Sequence, residues 1–318
     1  MTVTRPNILT NAAARLNFAR GVLLLKREFT GPTTAQLGIP GPARPVSTYD
    51  LFVVWHHVAM NTLTPPAAGD RNAAHRGPVF GPWHRFMLRQ LELNLQRVLG
   101  DTTFGLPYWD WAADGGLTPA KQKKAALWKA SAIGGSGSPV TTGPFKFSAT
   151  DATSFRVKVV ADSNGQLVQV NRGLQRALGG DIATLPTKAD TSAALLLTPY
   201  DAAPWSTGSS SFRNRLEGWQ GPGAPALHNR VHVWIGGDMG PSSSPNDPVF
   251  FLNHCNVDRI WEAWMSLHSR TYVPPDSAPA ALNGHRLHDQ LTSLISAPTT
   301  PAAVLDVSAE YAYDSLAV

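Results

Sequence analysis

The sequence predicts a mainly α-helical protein: a four-helix bundle that encloses a dinuclear metal site, with long loops and a small β-hairpin at its edge. Three observations lead to this prediction. Several segments place apolar residues at helical spacing, six histidines fall in two groups of three on or beside those segments, and strand patterns are confined to one stretch. Facing helices of bundles supply the ligands of metal sites, so we expect the site in the middle of the bundle.

Five helices are expected, in chain order. They cover residues 10–29, 46–62, 82–99, 225–235 and 247–268. Pro82 suits the first turn of the third helix, because a proline there removes no hydrogen bond that the helix would make. At the start of the last helix, Asn246 or Asp247 is expected to act as the cap and Pro248 to lie in the first turn. Four of the five helices carry or adjoin histidines.

The stretch from Ala112 to Ser211 is rich in Gly, Ser, Thr and Pro and has few helical patterns. Within it, the β-prone segments 155–160 and 167–170 flank a Ser-Asn-Gly turn, which predicts a hairpin. We interpret the stretch as an addition within a single domain that spans residues 1–318. Tyr313 lies close to the last residue, so no C-terminal domain is expected to cover the site.

Charge and hydropathy exclude several classes of partner. The formal net charge of +5 is modest for 318 residues and no basic stripe is present, so neither nucleic acid nor a membrane surface is an expected partner. The apolar run Val22–Leu25 is too short to span a membrane. The N-terminus lacks a basic region followed by an apolar run, so we expect a cytoplasmic protein, with export in complex with a partner as the alternative. One lysine-rich stretch indicates a solvated helix face instead of a nucleic-acid site: Lys121, Lys123, Lys124 and Lys129.

The cysteine and tryptophan content adds two expectations. The single cysteine, Cys255, excludes an intramolecular disulfide and a multi-cysteine metal cluster, and is predicted to be a small buried residue. Six of the ten tryptophans lie next to the histidine-bearing motifs and are expected to wall the metal site with apolar surface: Trp83, Trp109, Trp111, Trp219, Trp234 and Trp261.

The second histidine group has the sharper spacing. His228 and His232 are four residues apart on a predicted helix, so both rings leave one face and can reach one ion. Asn229 stands where a zinc protease would have its glutamate, which excludes that hydrolase chemistry. His254 lies 22 residues further along the chain, about two turns into the last helix. An isolated histidine pair at this spacing is more often part of an ordinary core than of a metal site. The third histidine makes the metal site the favoured interpretation.

The first group follows the same logic with looser spacing. His56 lies on an apolar helix, His75 in a polar loop and His84 at the start of a long amphipathic helix. His57 projects about 100° away from His56 on the helix and is not a ligand candidate. Two sites with three imidazoles each, and no thiolate or carboxylate, indicate first a pair of copper ions that bind oxygen.

The segments around these histidines resemble bacterial tyrosinases, which are type-3 copper phenol oxidases. The resemblance extends from about Arg5 to Tyr313. The matching segments are His75-Arg76-Gly77-Pro78, Pro82-Trp83-His84-Arg85, Leu106-Pro107-Tyr108-Trp109-Asp110-Trp111, Leu216-Glu217-Gly218-Trp219, Leu227–Trp234, Asn246–Trp261 and Tyr311-Ala312-Tyr313.

The resemblance implies two copper ions. Copper A would be bound by His56, His75 and His84, and copper B by His228, His232 and His254. It also implies dioxygen and a small phenol as reactants and, as in some relatives, a small copper-delivering partner protein. Some relatives link a cysteine to a copper A histidine, but Cys255 follows a copper B ligand, so no such thioether is predicted.

The resemblance further implies that Glu217 and Asn229 hold a water molecule that takes the proton of a monophenol, whose pKa is near 10. The alternative for Glu217 is a structural salt bridge. Asp110, Asp258 and Arg259 are interpreted as hydrogen-bond partners of the metal-bound imidazoles or as structural groups, since such imidazoles need a partner on the second ring nitrogen.

Three departures from the family pattern concern the pocket. Asn253 replaces a common second histidine before His254, which is expected to alter the pocket or the surroundings of the ligands. The short loop of small residues from Gly240 to Ser244 predicts a wider entrance that admits bulky diphenols or aminophenols. The loose linker Gln220–Pro225 adds three residues between Glu217 and His228.

These departures leave two alternatives to a tyrosinase. A catechol or o-aminophenol oxidase would perform only the oxidation to a quinone or quinone imine, without hydroxylating monophenols. A haemocyanin-like oxygen carrier would need a residue or domain that caps the copper, and the sequence shows none. A derelict or zinc-binding site is disfavoured by the six ligand candidates.

Overall fold

The computed structural model describes residues 2–67, 69–221 and 223–318, and its regular structure is mainly helical. The α-helices are α1 (Ala12–Leu25), α2 (Thr48–Asn61), α3 (Phe80–Leu99), α4 (Trp111–Gly115), α5 (Pro119–Gln122), α6 (Lys188–Leu195), α7 (Phe212–Glu217), α8 (Leu227–Ile235) and α9 (Val249–Leu267). The five helices predicted from sequence are α1, α2, α3, α8 and α9. Their ends agree within four residues; the largest difference is at the end of α1, predicted at 29 and observed at 25.

Two small sheets accompany the helices. Strands β2 (Val157–Ala161) and β3 (Leu167–Arg172) form the predicted antiparallel hairpin. Strands β1 (Val3–Arg5) and β4 (Tyr311–Tyr313) pair in parallel and join the two ends of the described chain. The second sheet was not predicted, because strands of three residues carry too little periodicity to stand out in a sequence.

Local caps explain where the main helices begin and end. Ser47 precedes α2, and its side chain accepts a hydrogen bond from the backbone N–H of Asp50. Gly100 ends α3 in the left-handed conformation that glycine adopts without steric cost. The predicted cap of α9 is displaced by one residue: Pro248 occupies the cap position, and the Asp247 carboxylate accepts from the N–H of Val249.

Two predictions for the stretch 112–211 were wrong. Helix α6 was missed, although Thr187 and Asp190 form the reciprocal capping box that marks a helix start in a sequence. The lysine-rich stretch from Lys121 to Lys129 does not form a continuous helix. Only α5 is helical there, and a turn and a short 3₁₀ segment follow it.

Helices α2, α3, α8 and α9 form the bundle that was predicted. Helix α3 packs against α1 and α9, and α9 also packs against α8. Phe52 of α2 and Phe251 of α9 meet edge to face, with ring centroids 6.0 Å apart. One continuous apolar core runs through these helices. Their histidine-bearing faces point into the bundle. No helix among the described residues is both long and apolar enough to cross a bilayer.

A buried ion network ties the chain ends to the bundle. Arg5 of β1 is fully buried, with its Nε 3.0 Å from Glu92 Oε1 of α3 and its Nη1 3.2 Å from Asp258 Oδ2 of α9. The Nε of Arg85 donates to the other oxygen of Asp258 at 2.6 Å. Tyr311 of β4 donates its hydroxyl to Asp258 at 2.7 Å. The network therefore connects four elements that are distant in sequence.

The buried carboxylate of Glu92 is expected to make the stability of the folded protein depend on pH in acid. Burial raises the pKa of its carboxyl, but the Arg5 ion pair and hydrogen bonds outweigh burial and hold the pKa below its ordinary value. This stabilisation is present above the unfolded-state pKa of about 4.3 and is lost as the pH falls through the lower folded-state pKa. We expect the free energy of unfolding, measured by urea titration from about pH 5 to about pH 3, to fall less steeply in Glu92→Gln than in the wild type.

The control for this experiment is Glu310→Gln, because the Glu310 side chain is 42% exposed in its ion pair with Arg89. This variant should keep the wild-type slope. Equal slopes in Glu92→Gln and the wild type would show that Glu92 does not contribute to the acid dependence.

Candidate metal centre

The first histidine group converges as predicted. His56 projects from α2 and His84 from α3, and one ring nitrogen of each, together with one of His75, lies within 4.8 Å of the others. His75 is in a loop but is buried, in contrast to an ordinary loop histidine in water. The Asn72 side chain fixes this loop by accepting the backbone N–H groups of Ala74 and His75.

The second group converges more tightly. His228 and His232 project from one face of α8, and His254 projects from α9 toward them. The Nε2 atom of His254 lies 3.1 Å from Nε2 of His228 and 3.4 Å from Nε2 of His232. Three ring nitrogens from two helices therefore meet at one point.

The two groups adjoin each other and form one centre. The rings of His84 and His254, one from each group, stack with centroids 4.2 Å apart and planes inclined by 15°. The rings of His75 and His228 are 6.1 Å apart. The fold thus brings together two three-nitrogen clusters that are far apart in the sequence.

Backbone carbonyls fix the tautomer of four of the six imidazoles. In each pair the Nδ1–H donates to a carbonyl oxygen, which can only accept. The pairs are His56 with Ser242 at 2.6 Å, His84 with Phe80 at 2.8 Å, His228 with Glu217 at 3.1 Å and His232 with Met239 at 2.7 Å. The proton on Nδ1 leaves Nε2 of each ring with a lone pair for a metal.

Burial also keeps these imidazoles uncharged. It lowers the pKa of His56 to about 3 and that of His232 to about 4, and it lowers the pKa of the other four histidines well below the ordinary value. At neutral pH all six rings are therefore in the neutral form that binds metals.

The centre fits a pair of metal ions. Nε2 of His56 and of His84 is buried and has no hydrogen-bond partner among the described residues. Buried polar atoms without a partner are costly, and a cation would satisfy the converging lone pairs. Imidazole donors without thiolate or carboxylate suit copper.

Two phenylalanines enclose the six imidazoles and were missed by the sequence analysis. The Phe250 ring lies 4.9 Å from that of His56 and 4.1 Å from that of His254. The Phe80 ring lies 5.0 Å from the rings of both His84 and His228. Both phenylalanines belong to apolar helix starts, and nothing in their local sequence separates them from ordinary core residues.

The tryptophan prediction holds only in part. Trp83 packs against the rings of His56 and His84, and it is fully buried. Trp219 is 38% exposed and stands at the pocket, not in the core. The other four tryptophans are buried in the core and make no ring contact with the six histidines.

A pocket of about 500 Å³ leads to the centre. The lining residues are His56, Met60, His75, Arg76, Gly218, Trp219, Ala224, Pro225, His228, Asn229, His232, Val233, Gly240, Pro241 and Ser244. Gly240, Pro241 and Ser244 of the 240–244 loop are among the residues that line this pocket. The loop also has a second role, which the sequence did not reveal: the backbone carbonyl of its Ser242 orients the His56 ring.

Glu217 and Asn229 lie beside the second histidine group. Glu217 is fully buried; its Oε1 accepts the backbone N–H of Arg76 at 2.7 Å, and its Oε2 pairs with Arg213 at 3.0 Å. Burial raises the pKa of its carboxyl above the ordinary value, although the Arg213 guanidinium opposes the shift. Asn229 lines the pocket, and its Oδ1 lies 3.0 Å from Nδ1 of His228.

The structure decides between the two interpretations given for Asp110, Asp258 and Arg259. Asp110, Asp258 and Arg259 do not hydrogen-bond the imidazoles: Asp258 binds Arg5 and Arg85, and Arg259 lies 3.5 Å from Asp110. These three groups are structural, and backbone carbonyls take the role that we considered for them.

Asn253 is fully buried in α9 and is not among the residues that line the pocket, so it does not shape the pocket directly. Cys255 is buried with its thiol 3.3 Å from the Leu106 carbonyl oxygen, as expected of a small core residue. Pro222, within the predicted 220–225 linker, lies outside the described residues.

Comparison with known proteins identifies this arrangement. The family model described as the common central domain of tyrosinase matches residues 46–267, which include all six histidines. The chain is 37% identical to a tyrosinase of Streptomyces antibioticus over 99% of its own length and 100% of that enzyme.

The chain belongs to the tyrosinase family. It is a type-3 copper oxidoreductase that acts on phenols, and its cofactor is a pair of copper ions. The resemblance predicted from the motifs is confirmed.

Two further similarities bear on function and fold. Grixazone synthase of Streptomyces griseus is 34% identical over 99% of this chain and 100% of that protein. The solved structure of a polyphenol oxidase from Thermothelomyces thermophila superposes with a TM-score of 0.72 at 25% identity and covers 98% of this chain and 88% of that one. The predicted helical fold around the histidines is thereby confirmed.

Proposed function

We propose that this enzyme hydroxylates monophenols at the ortho position and oxidises the resulting o-diphenols to o-quinones. In this proposal His56, His75 and His84 hold one copper ion, and His228, His232 and His254 hold the other. The observation that supports it is the convergence of two triads of neutral imidazoles at the floor of an open pocket. When bound, the copper pair supplies the activation of dioxygen.

The pocket walls suit a flat aromatic ring. Met60, Trp219, Val233 and Pro241 give them a largely apolar surface, on which an aromatic substrate can lose its hydration. The imidazoles at the floor are the polar groups nearest the metal positions. A phenol would therefore enter with its hydroxyl toward the histidines and its substituent toward the entrance.

A monophenol must also lose its proton, which is costly at neutral pH because its pKa is near 10. We assign this step to a water molecule held by Glu217 and Asn229. Each carboxylate oxygen has two lone pairs, so Glu217 can accept a water proton in addition to its bonds from Arg76 and Arg213. Its raised pKa makes it a better proton acceptor than an ordinary glutamate. The salt bridge and the water-holding role are thus compatible.

The second candidate is an o-diphenol or o-aminophenol oxidase without useful hydroxylation. The small residues Gly240 and Pro241 at the entrance favour it, because they leave room for bulky substrates. The similarity to grixazone synthase extends as far along the chain as that to the tyrosinases. This candidate needs the same copper ligands but not the water of Glu217 and Asn229.

Oxygen uptake by the copper-loaded protein tests both candidates. A monophenol, its catechol and o-aminophenol are compared, with metal-free protein as the blank. Uptake with the monophenol, after a lag that a trace of catechol abolishes, is the expected result. Uptake with only the catechol or o-aminophenol would replace the proposal with the second candidate. No uptake with any substrate, despite bound copper, would contradict both.

Glu217→Gln and Asn229→Ala are expected to reduce hydroxylation more than oxidation. Each should lower the ratio of monophenol to catechol kcat/KM by at least about tenfold, because loss of a positioned base typically costs 10²–10⁴ and a diphenol depends on it less. Initial rates of both reactions are measured at equal copper content. Asn94→Ala, a partly exposed position on α3, is the control. A proportional loss of both activities would indicate a structural role for Glu217.

The family resemblance implies a copper-delivering partner, and the N-terminal sequence predicts a cytoplasmic location, with export in complex with a partner as the alternative. Both stay predictions. Comparing the copper content of the protein expressed with and without its genomic neighbours would test the first.

A further inference from the structure

One permanent charge faces the substrate pocket. Among the described residues that line it, Arg76 alone carries a charge that does not depend on pH. The other polar side-chain groups there are neutral imidazoles, the Asn229 amide, the Ser244 hydroxyl and the Trp219 indole N–H. The charge lies one residue after the ligand candidate His75.

The fold holds the Arg76 backbone firmly in place. Its N–H donates to the buried Glu217 carboxylate at 2.7 Å, and that carboxylate is paired with Arg213. The backbone of Arg76 has a φ of +63°, in the left-handed region that non-glycine residues rarely occupy. Residues held in such conformations against their preference cluster at ligand-binding and catalytic sites.

The guanidinium itself is left available. Its Cζ lies 5.2 Å from the centre of the Trp219 ring, which holds it at the pocket wall. Among the described residues, no carboxylate lies within ion-pair distance of it and no acceptor takes its hydrogen bonds, whereas the nearby Arg213 is paired with both Asp201 and Glu217. The backbone of Arg76 is fixed, and its unpaired guanidinium lies beside the Trp219 ring. This arrangement suits an aromatic ligand that carries a negative charge.

We propose that Arg76 is a specificity-determining residue that binds a carboxylate on the substrate. The preferred substrates would then be phenols, o-diphenols or o-aminophenols that carry a carboxylate on the ring or on a short side chain. The guanidinium offers two parallel N–H donors that match the two oxygens of a carboxylate. The apolar wall formed by Trp219 and Val233 weakens competition from water. This inference rests on the proposed phenol oxidase function and names its substrate class.

A matched pair of substrates tests the inference. 3-(3,4-Dihydroxyphenyl)propanoate and its primary amide have the same catechol ring and differ in charge at the far end. We expect the wild-type enzyme to prefer the carboxylate, mainly through a lower KM. In Arg76→Gln the ratio of kcat/KM for carboxylate over amide should fall about 10- to 100-fold, the usual value of a charge-assisted hydrogen-bonded pair.

Two further variants separate geometry from net charge. Arg76→Lys keeps the charge but loses the planar fork, so its ratio should lie between those of the wild type and Arg76→Gln. Arg20→Gln removes the same charge from an exposed position on α1 and should keep the wild-type ratio. An unchanged ratio in Arg76→Gln, or an equal fall in Arg20→Gln, would overturn the proposal.

A binding measurement separates this inference from the proposed function. Calorimetry with copper-loaded protein compares 3-phenylpropanoate with 3-phenylpropanamide, neither of which has a phenolic hydroxyl to oxidise. The carboxylate should bind at least tenfold more tightly in the wild type, with an affinity that falls as salt is added, and this advantage should disappear in Arg76→Gln. Equal affinities in the wild type would refute the inference even if no Arg76 variant folded. If the binding difference is present and disappears in Arg76→Gln, but no phenol is oxidised, the proposed function fails and the carboxylate site stands.

Discussion

Replacing His56 with alanine is expected to remove one of the two copper ions and to lower catechol oxidation by at least about 100-fold. Even partners that only hydrogen-bond a metal ligand typically contribute 10–100-fold to metal affinity or activity, and a direct ligand contributes more. Nε2 of His56 is buried without a partner among the described residues, and its Nδ1–H is fixed by the Ser242 carbonyl, so no alternative orientation of the ring is favoured. Metal analysis and oxygen uptake measure the two effects.

The adjacent histidine provides a closely matched control. His57 is also on α2 and is also buried, but its Nδ1 lies 2.8 Å from the Ser242 hydroxyl and its ring is not part of the triad. His57→Ala should therefore retain two copper ions per chain and an oxidation rate within about threefold of the wild type. Two copper ions in His56→Ala, or one in His57→Ala, would contradict the ligand assignment.

Asp258→Ala is expected to lower the free energy of unfolding by about 3–5 kcal/mol, the cost of removing one partner from a buried ion pair. Asp258 is 3% exposed and neutralises two arginines, Arg5 and Arg85, which are themselves buried. Without it, the Tyr311 hydroxyl also loses its acceptor. Urea unfolding monitored by tryptophan fluorescence measures the change.

Two comparisons isolate the cause of this effect. Asp258→Asn keeps the shape and one acceptor oxygen, so its loss should be smaller than that of Asp258→Ala. Asp181→Ala removes an exposed carboxylate that makes no ion pair with the described residues, and should change the free energy of unfolding by less than about 0.5 kcal/mol. A loss in Asp258→Ala no larger than that in Asp181→Ala would mean that the network does not stabilise the fold.

Prediction from sequence succeeded where the information is local. Helix α8 has its two histidines four residues apart, and a helix places such a pair on one face whatever surrounds it. The β2–β3 hairpin follows from two β-prone segments around a turn. Helix α6 also had a local marker, the Thr187–Asp190 capping box, and could have been predicted.

Prediction failed where partners come from distant parts of the chain. The pairing of β1 with β4 joins residues 3–5 to 311–313, and no local pattern announces it. Asp258 was interpreted either as a hydrogen-bond partner of a metal-bound imidazole or as a structural group, and the sequence did not decide between the two. The fold instead turns it toward Arg5 and Arg85.

The sequence by itself supplied the six ligand candidates, the main helices and the expectation of copper, because residue type, helical spacing and the family motifs are all contained within short segments. Only the tertiary structure decided which backbone carbonyls orient four of the six imidazoles, that Phe80 and Phe250 enclose the centre, and that Arg76 faces the pocket with Glu217 behind it. A carbonyl oxygen is present in every residue and an arginine side chain can point in many directions. Their roles are therefore set by the packing of the chain around them and not by the sequence that contains them.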